Sequence, residues 1–442
     1  MPIKTLHLTY LFNEQSGGIA TFYRAMMRRA TDAGRQMVMV IPGERWEVEQ
    51  VSDTVRIYRV QAAHSLIGDR RYRVLLPHHF LFPGDTQFKQ ILRQEQPDVV
   101  EACDKYSLFY LFGYLRLGWL GCETVPTTVA TTMERMDDNF LTYFGSTPPG
   151  RRFCEWYMRQ IYFPMPKYHI AISRYVADEL EQAPAARRLD KIRVLPLGVD
   201  SQTFRPPIDG DDARKHLRAA IGAGEGSRVL LYAGRLSREK NIPLLIGTLR
   251  DLLRDAAPRF HLAVIGGGPL RSELEGLSRT EFRGRLNVMP HVESRERLAA
   301  LIGGADAFVH PNPHEPFGIG PLEAMACGLP VVLPNQGGVL EYANSTNSWP
   351  TVPDPVSYAN AVRDAIATGV LRESRIAAAR ATAEALDWCT VTERFFGQYE
   401  SFHQMAKGSK DPWPIPYAPW PWSRRRTAPH SQSGDEGRGK AA

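Results

Sequence analysis

The sequence predicts an α/β protein of two domains, each a parallel sheet with helices on both faces. Three observations carry that prediction. At 442 residues the chain exceeds the size at which one hydrophobic core keeps growing. Short β-rich runs alternate with helical periods in both halves, the pattern of strand-helix-strand units. Between the halves lies LPLGVDSQTFRPP, whose Gly198, Asp200 and Pro206-Pro207 read as a connector.

In the first half, IKTLHLTYLF is a strand, NEQSGGIA a glycine turn and TFYRAMMRRATDAG a helix, followed by the strand MVMVIPG. TVRIYRV, PDVVEAC, TVPTTVATT and YHIAIS continue the scheme. The aromatic-dense segment 106–121, YSLFYLFGYLRLGWLG, is too short to span a bilayer and reads as a helix packed on this sheet. In the second half RVLLYAG, HLAVIGGG, LNVMPHV, AFVHPN and LPVVLP are strands, and PLLIGTLRDLLRDAA is the clearest helix. Residues 388–407 place aromatics at helical spacing and predict a last helix. The tail 408–442 turns Pro- and Trp-rich, then polar and Arg-containing, and is expected to be partly disordered.

Composition narrows the function classes. Charged residues are 23%, and no apolar run reaches the roughly 18 residues of a membrane span. The first residues, MPIKTLHLTYLF, read as a strand rather than a signal peptide, so a cytoplasmic location is expected. Cys103, Cys122, Cys154, Cys327 and Cys389 are too dispersed for a metal or redox motif and read as reduced thiols. The net charge of +6 divides between residues 1–200 and the tail. Charge that diffuse makes no case for nucleic acid.

Three glycine turns follow predicted strands: Gly17-Gly18, Gly234, and Gly266-Gly267-Gly268. Such turns bring backbone N–H groups and a helix N-terminus to an anion, although each alone is more often a plain chain reversal. The pattern GxGxxG is absent from the first unit, where SGGIA stands, which weakens a hydride-transfer reading. Arg235 and Lys240 lie where the chain leaves a sheet edge and suit a diphosphate, the first as a planar fork and the second as a point charge. In HEPFGIGPLEAMACGLPVV (314–332), Glu315 sits in a Pro/Gly-rich loop and Glu323 in the helix that follows. A carboxylate near an anion site needs hydroxyls to hold, and sugar or ribose hydroxyls would satisfy it.

These segments, taken in order, resemble the retaining GT-B glycosyltransferases of glycosyltransferase family 4. The resemblance covers roughly residues 5–405 through SGGIA, VLPLGVDSQTF, YAGRLSREKN, VIGGGPL and HEPFGIGPLEAMACGLPVV. It implies two Rossmann-like domains facing across a cleft. Residues 1–190 would hold the acceptor and 191–387 the nucleotide-sugar, while 388–407 would cross back to the first domain. By position, Arg235 and Lys240 would grip the donor diphosphate and Glu323 the ribose. Glu315, with the backbone of Phe317, Gly318 and Ile319, would hold the transferred sugar. Gly17, Gly18, Gly234 and Gly267 would line the phosphate site, and His291 falls where the nucleobase is contacted. The family's His-Asp pair is replaced, with Thr132 at the His position and Glu134 at the Asp position; Asp104, Glu134 and Asp137 are candidate acceptor contacts.

The function so implied is metal-independent, retaining transfer from a nucleoside-diphosphate sugar to a hydroxyl of a lipid, glycan or small molecule. It uses no cofactor, and a lipid acceptor would make the chain a peripheral membrane protein. A nucleotide-sugar epimerase or a silent nucleotide-binding homologue on the same fold are the alternatives.

Overall fold

The computed structural model describes residues 3–12, 17–65, 72–81, 84–144, 147–182, 191–208, 210–255 and 257–408. The tail beyond Gly408 lies outside the described residues, and with it the expectation of partial disorder.

Eight strands form the first sheet: β1 (Thr5–Leu8), β2 (Met37–Gly43), β3 (Glu47–Gln50), β4 (Val55–Gln61), β5 (Val99–Ala102), β6 (Thr127–Thr132), β7 (Tyr168–Ala171) and β8 (Ile192–Val194). Their order is β3-β4-β2-β1-β5-β6-β7-β8. Every pair is parallel except β3 with β4. The second sheet contains β9 (Arg228–Ala233), β10 (Phe260–Ile265), β11 (Leu286–Met289), β12 (Ala307–Val309), β13 (Val331–Pro334) and β14 (Trp349–Thr351). It is wholly parallel, in the order β11-β10-β9-β12-β13-β14. The chain is therefore two Rossmann-like α/β domains.

Central strands buried on both faces explain the continuous apolar runs; β1, β5, β6 and β10 are buried at every residue. Three strands escape the sequence reading. EVEQ of β3 is exposed throughout, β8 is only half-buried, and β14 is the three-residue run Trp-Pro-Thr. None is long and apolar enough to stand out: β3 has a single apolar residue, and β8 and β14 are three residues each. Because β8 joins the first sheet, that sheet runs past residue 191, where the second domain was expected to begin.

In each sheet the chain winds outward in both directions from a central pair, β1 with β5 and β9 with β12. Such a reversal opens a crevice at the C-terminal strand ends, where open α/β sheets bind ligands.

The last helix, Trp388–Lys407, begins at an Asp387 N-cap and returns to the first domain. Its Phe395 ring lies 4.8 Å from Phe22, and Phe402 stacks on Tyr168 of β7 at 4.3 Å. Arg29 and Arg35 pair with Glu393, and Arg35 also with Glu400. The two crossings between domains run side by side: the Val199 amide donates to the Leu386 carbonyl at 2.9 Å and the Trp388 amide to the Val199 carbonyl at 3.0 Å. The aromatic segment forms the helix Phe109–Arg116, burying Leu111, Phe112 and Leu115 and leaving Leu117 and Trp119 exposed just beyond it.

Phe395 is fully buried. Phe395→Ala is expected to cost about 3–5 kcal/mol, read as a lowered thermal-unfolding midpoint, while a substitution at exposed Val370 leaves the midpoint in place.

Candidate functional site

The loops after β9 and β10 zip together backbone to backbone. Gly234 donates to the Ile265 carbonyl at 3.0 Å and Leu236 to the Gly267 carbonyl at 2.9 Å. A Cβ on Gly266 or Gly268 would overlap the carbonyl oxygens of Gly234 and Leu236, so only glycine permits this approach. The contact uses up the Gly234 amide but not those of Gly267 and Gly268, which have no partner among the described residues. Arg235 is exposed at the end of β9, with Glu239 3.9 Å away.

After β12, the loop Asn312–Gly318 is clamped along its length. Gly338 donates to the Glu315 carbonyl at 2.7 Å, Tyr342 to the Gly318 carbonyl at 2.5 Å, and Asn312 accepts from the His314 amide at 3.0 Å. Gly318 has φ 85 and ends the loop at the helix Ile319–Ala326, which no side chain caps. The first amides of that helix have no intrahelical acceptor and carry the positive end of its dipole. Phe317 is buried beside the Tyr342 ring at 5.1 Å and does not reach the cleft by its side chain.

The two glutamates are each held by one oxygen. Glu315 Oε2 accepts from Lys240 Nζ at 2.8 Å and Asn312 Nδ2 at 3.0 Å, with His310 Nε2 3.5 Å away. Glu323 Oε1 accepts from Arg295 at 2.9 Å. The other oxygen of each has no partner among the described residues. Their protonation differs. Burial opposes the Glu315 charge, but Lys240, His310 and the Asn312 hydrogen bond together outweigh it and hold the carboxyl down at about 2. Burial pushes Glu323 up to about 7 against the pull of Arg295. His310, buried beside them, is driven down to about 4 by desolvation and stays neutral.

The first domain meets this loop directly. A Cβ on Gly18 would lie 3.1 Å from Ile319 Cδ1, placing the Gly17-Gly18 turn against the uncapped helix start. Ser173 Oγ donates to the Pro316 carbonyl at 2.6 Å, and His314 Nδ1 lies 3.1 Å from Asp138. His291 stands apart: it is exposed after β11, with no hydrogen bond among the described residues.

On the first-domain side, Thr132 is buried and paired with the Tyr162 hydroxyl at 3.2 Å. Asp104 is pushed up to about 6 by burial and turns its oxygens to the amides of Tyr106 and Ser107, so it braces its own loop. Asp137 pairs with Arg135. Of the three candidate acceptor carboxylates, only Glu134 is without a hydrogen bond or ion pair on its side chain among the described residues.

Comparison with known proteins gives the family and the fold. A family model described as "Glycosyltransferase Family 4" matches residues 16–203, and one described as "Glycosyl transferases group 1" matches residues 213–382. The chain is 34% identical over 295 residues to a D-inositol 3-phosphate glycosyltransferase of Xylanimonas cellulosilytica, covering 64% of this chain and 68% of the relative. The chain belongs to the GT-B glycosyltransferases. It is also 26% identical over 395 residues to the GDP-mannose-dependent alpha-(1-6)-phosphatidylinositol dimannoside mannosyltransferase of Mycobacterium tuberculosis, covering 87% of this chain and 93% of that one. The structure of HepE from Anabaena, solved with UDP, superposes with a TM-score of 0.67 at 18% identity over 90% of this chain and 100% of that one, a likeness of fold.

Several residues of this glycosyltransferase's site were not read from the sequence: Arg295, His310, Asn312, Ser173, His314 and the Gly337-Gly338 pair. The last had a signal, NQGG directly after the strand LPVVLP. Gly338→Ala would drive a Cβ into the Pro316 carbonyl. The expected outcome is loss of nucleotide-sugar binding by calorimetry in a protein that keeps its circular dichroism spectrum. Glu323 sets a pH dependence. Its folded-state pKa lies above the unfolded value, so the stability tied to its neutral form is complete below the usual carboxylate range and is lost as pH rises through about 7. The ligand-free midpoint is expected to fall between pH 5 and 8 more steeply than in Glu323→Gln, as followed by thermal unfolding.

Proposed function

We propose that this glycosyltransferase is a family 4 enzyme that transfers a sugar from a nucleoside-diphosphate donor to a hydroxyl with retention and without a metal ion. The observation that carries this reading is the pair of half-held glutamates beside an uncapped helix start. Each presents one unpartnered carboxylate oxygen, and hydroxyls are what such an oxygen takes up. Glu323 receives the ribose and Glu315 the transferred sugar. Arg235, Lys240, the Gly267 and Gly268 amides and the first amides after Gly318 take up the charge that grows on the leaving diphosphate; Gly17, Gly18 and Gly234 complete the phosphate site. Fixed donors aimed at developing charge supply what a divalent cation would otherwise supply.

Retention follows from using the leaving phosphate as the proton acceptor for the incoming hydroxyl. Thr132 is spent on Tyr162 and has no base to offer. No cofactor is required, His291 lies on the nucleobase side, and the chain works in the cytoplasm. The mannosyltransferase relative makes GDP-mannose the first donor to test and a lipid-linked acceptor the first to offer. Among the described residues no helix is long and apolar enough to cross a membrane, so approach to such a lipid is peripheral.

Glu323→Ala removes a contact shared by ground and transition states. Assayed above pH 7, where Glu323 is ionised, it should raise the donor KM roughly 10- to 150-fold, for one hydrogen bond to a charged group, with kcat nearly kept. Glu315→Ala removes an oxygen beside the reacting sugar and strands Lys240, so its loss should fall on kcat. Identical kinetic patterns for the two variants would refute this division of roles. Transfer should also persist in EDTA; dependence on added magnesium or manganese would refute the metal-free reading.

A further inference from the structure

The first-domain wall of the cleft carries its own chemical bias. Glu134 follows β6, and the next helical turn from it touches the donor loop through Asp138 and His314. Among the described residues, the cations beside its turn are committed. Lys105 Nζ, 2% exposed, donates to Glu179 at 2.7 Å and to the Glu134 backbone carbonyl at 2.6 Å. Arg135 donates to Asp137 and, at 2.8 Å, to the Tyr175 carbonyl. His314 is engaged by Asp138.

The Glu134 backbone is fixed with unusual care. Glu179, also 2% exposed, accepts from the Met136 amide at 2.6 Å and the Asp137 amide at 3.1 Å, so a buried Lys–Glu pair holds both ends of the turn. A desolvated ion pair is a costly way to shape a loop unless the shape matters. What it displays is a carboxylate with no side-chain partner among the described residues, on a turn tied to Lys105, the residue just before Tyr106, whose hydroxyl accepts from Asn139 Nδ2 at 3.0 Å. The Tyr10 ring meets Tyr72 edge-on at 6.3 Å, and Tyr106 is 39% exposed. A carboxylate accepts hydroxyl protons in pairs, and aromatic rings cover the C–H faces of a sugar.

We infer that Glu134 makes this crevice select an uncharged polyhydroxyl acceptor, a saccharide end, over a phosphorylated one. An acceptor phosphate here would face Glu134, while Lys105 and Arg135, the described cations beside its turn, are already paired. The inference rests on the transfer reading above.

The test uses the full chain with GDP-mannose and UDP-glucose and two acceptor pairs, methyl α-mannoside with mannose 6-phosphate and myo-inositol with inositol 3-phosphate. Product is followed by mass spectrometry and donor hydrolysis by nucleotide release. Transfer to the neutral member is expected to exceed that to its phosphorylated partner at least tenfold in kcat/KM. Glu134→Gln should shrink that ratio and Glu134→Lys should reverse it, with the donor KM unchanged in both. Preference for the phosphorylated members, a ratio that ignores Glu134, or donor hydrolysis with no transfer to any neutral acceptor would each overturn the inference. Absence of both donor hydrolysis and a nucleotide-induced thermal shift would instead overturn the transfer reading itself.

Discussion

Backbone packed directly on backbone is the constraint from which the site follows. Gly337 and Gly338 lie against the carbonyls of Pro313, Glu315 and Pro316, and Gly266 and Gly268 lie against those of Gly234 and Leu236. No side chain fits between these segments. The loops at the two central strand ends are therefore set by peptide geometry, and hydrogen bonds to Gly338, Tyr342 and Ser173 tie the Glu315 loop from three directions. A carboxylate aimed from so fixed a base loses little orientation entropy when a substrate arrives.

That rigidity permits opposite electrostatics in two glutamates eight positions apart. Glu315 is kept ionised by Lys240, whereas Glu323, further into the helix and away from that lysine, is poised near neutrality. The pairing also tempers Lys240. Its charge is partly neutralised before any diphosphate binds, which shifts weight to Arg235 and the helix start.

The fold was legible wherever strands were buried on both faces, since β1, β2, β5 and β10 lie in apolar-rich runs and β6, TTVATT, is rich in β-branched residues. It was illegible at edges: β3, β8 and β14 exist because a neighbour offers a ladder, not because their own residues demand one. The site shows the same division. Arg235, Lys240 and Glu315 could be named because charged residues in glycine-rich turns at strand ends are informative, and Glu323 because it lies in the helix that directly follows such a loop. Arg295 could not, because its bond to Glu323 spans 28 positions and depends on how one helix lies beside another. Ser173 and His314 matter only through contacts between domains, which no local pattern records.

The paired crossings at Val199 and Leu386–Trp388 have a mechanical consequence. A single connecting strand lets two bodies spin about its bonds in any direction. Two strands laced by hydrogen bonds, with Ser201 also donating to Asp387 at 2.6 Å, behave as a short ribbon. A ribbon bends across its flat face and resists torsion along its length. The two crossings are thereby coupled, so that neither can twist without the other.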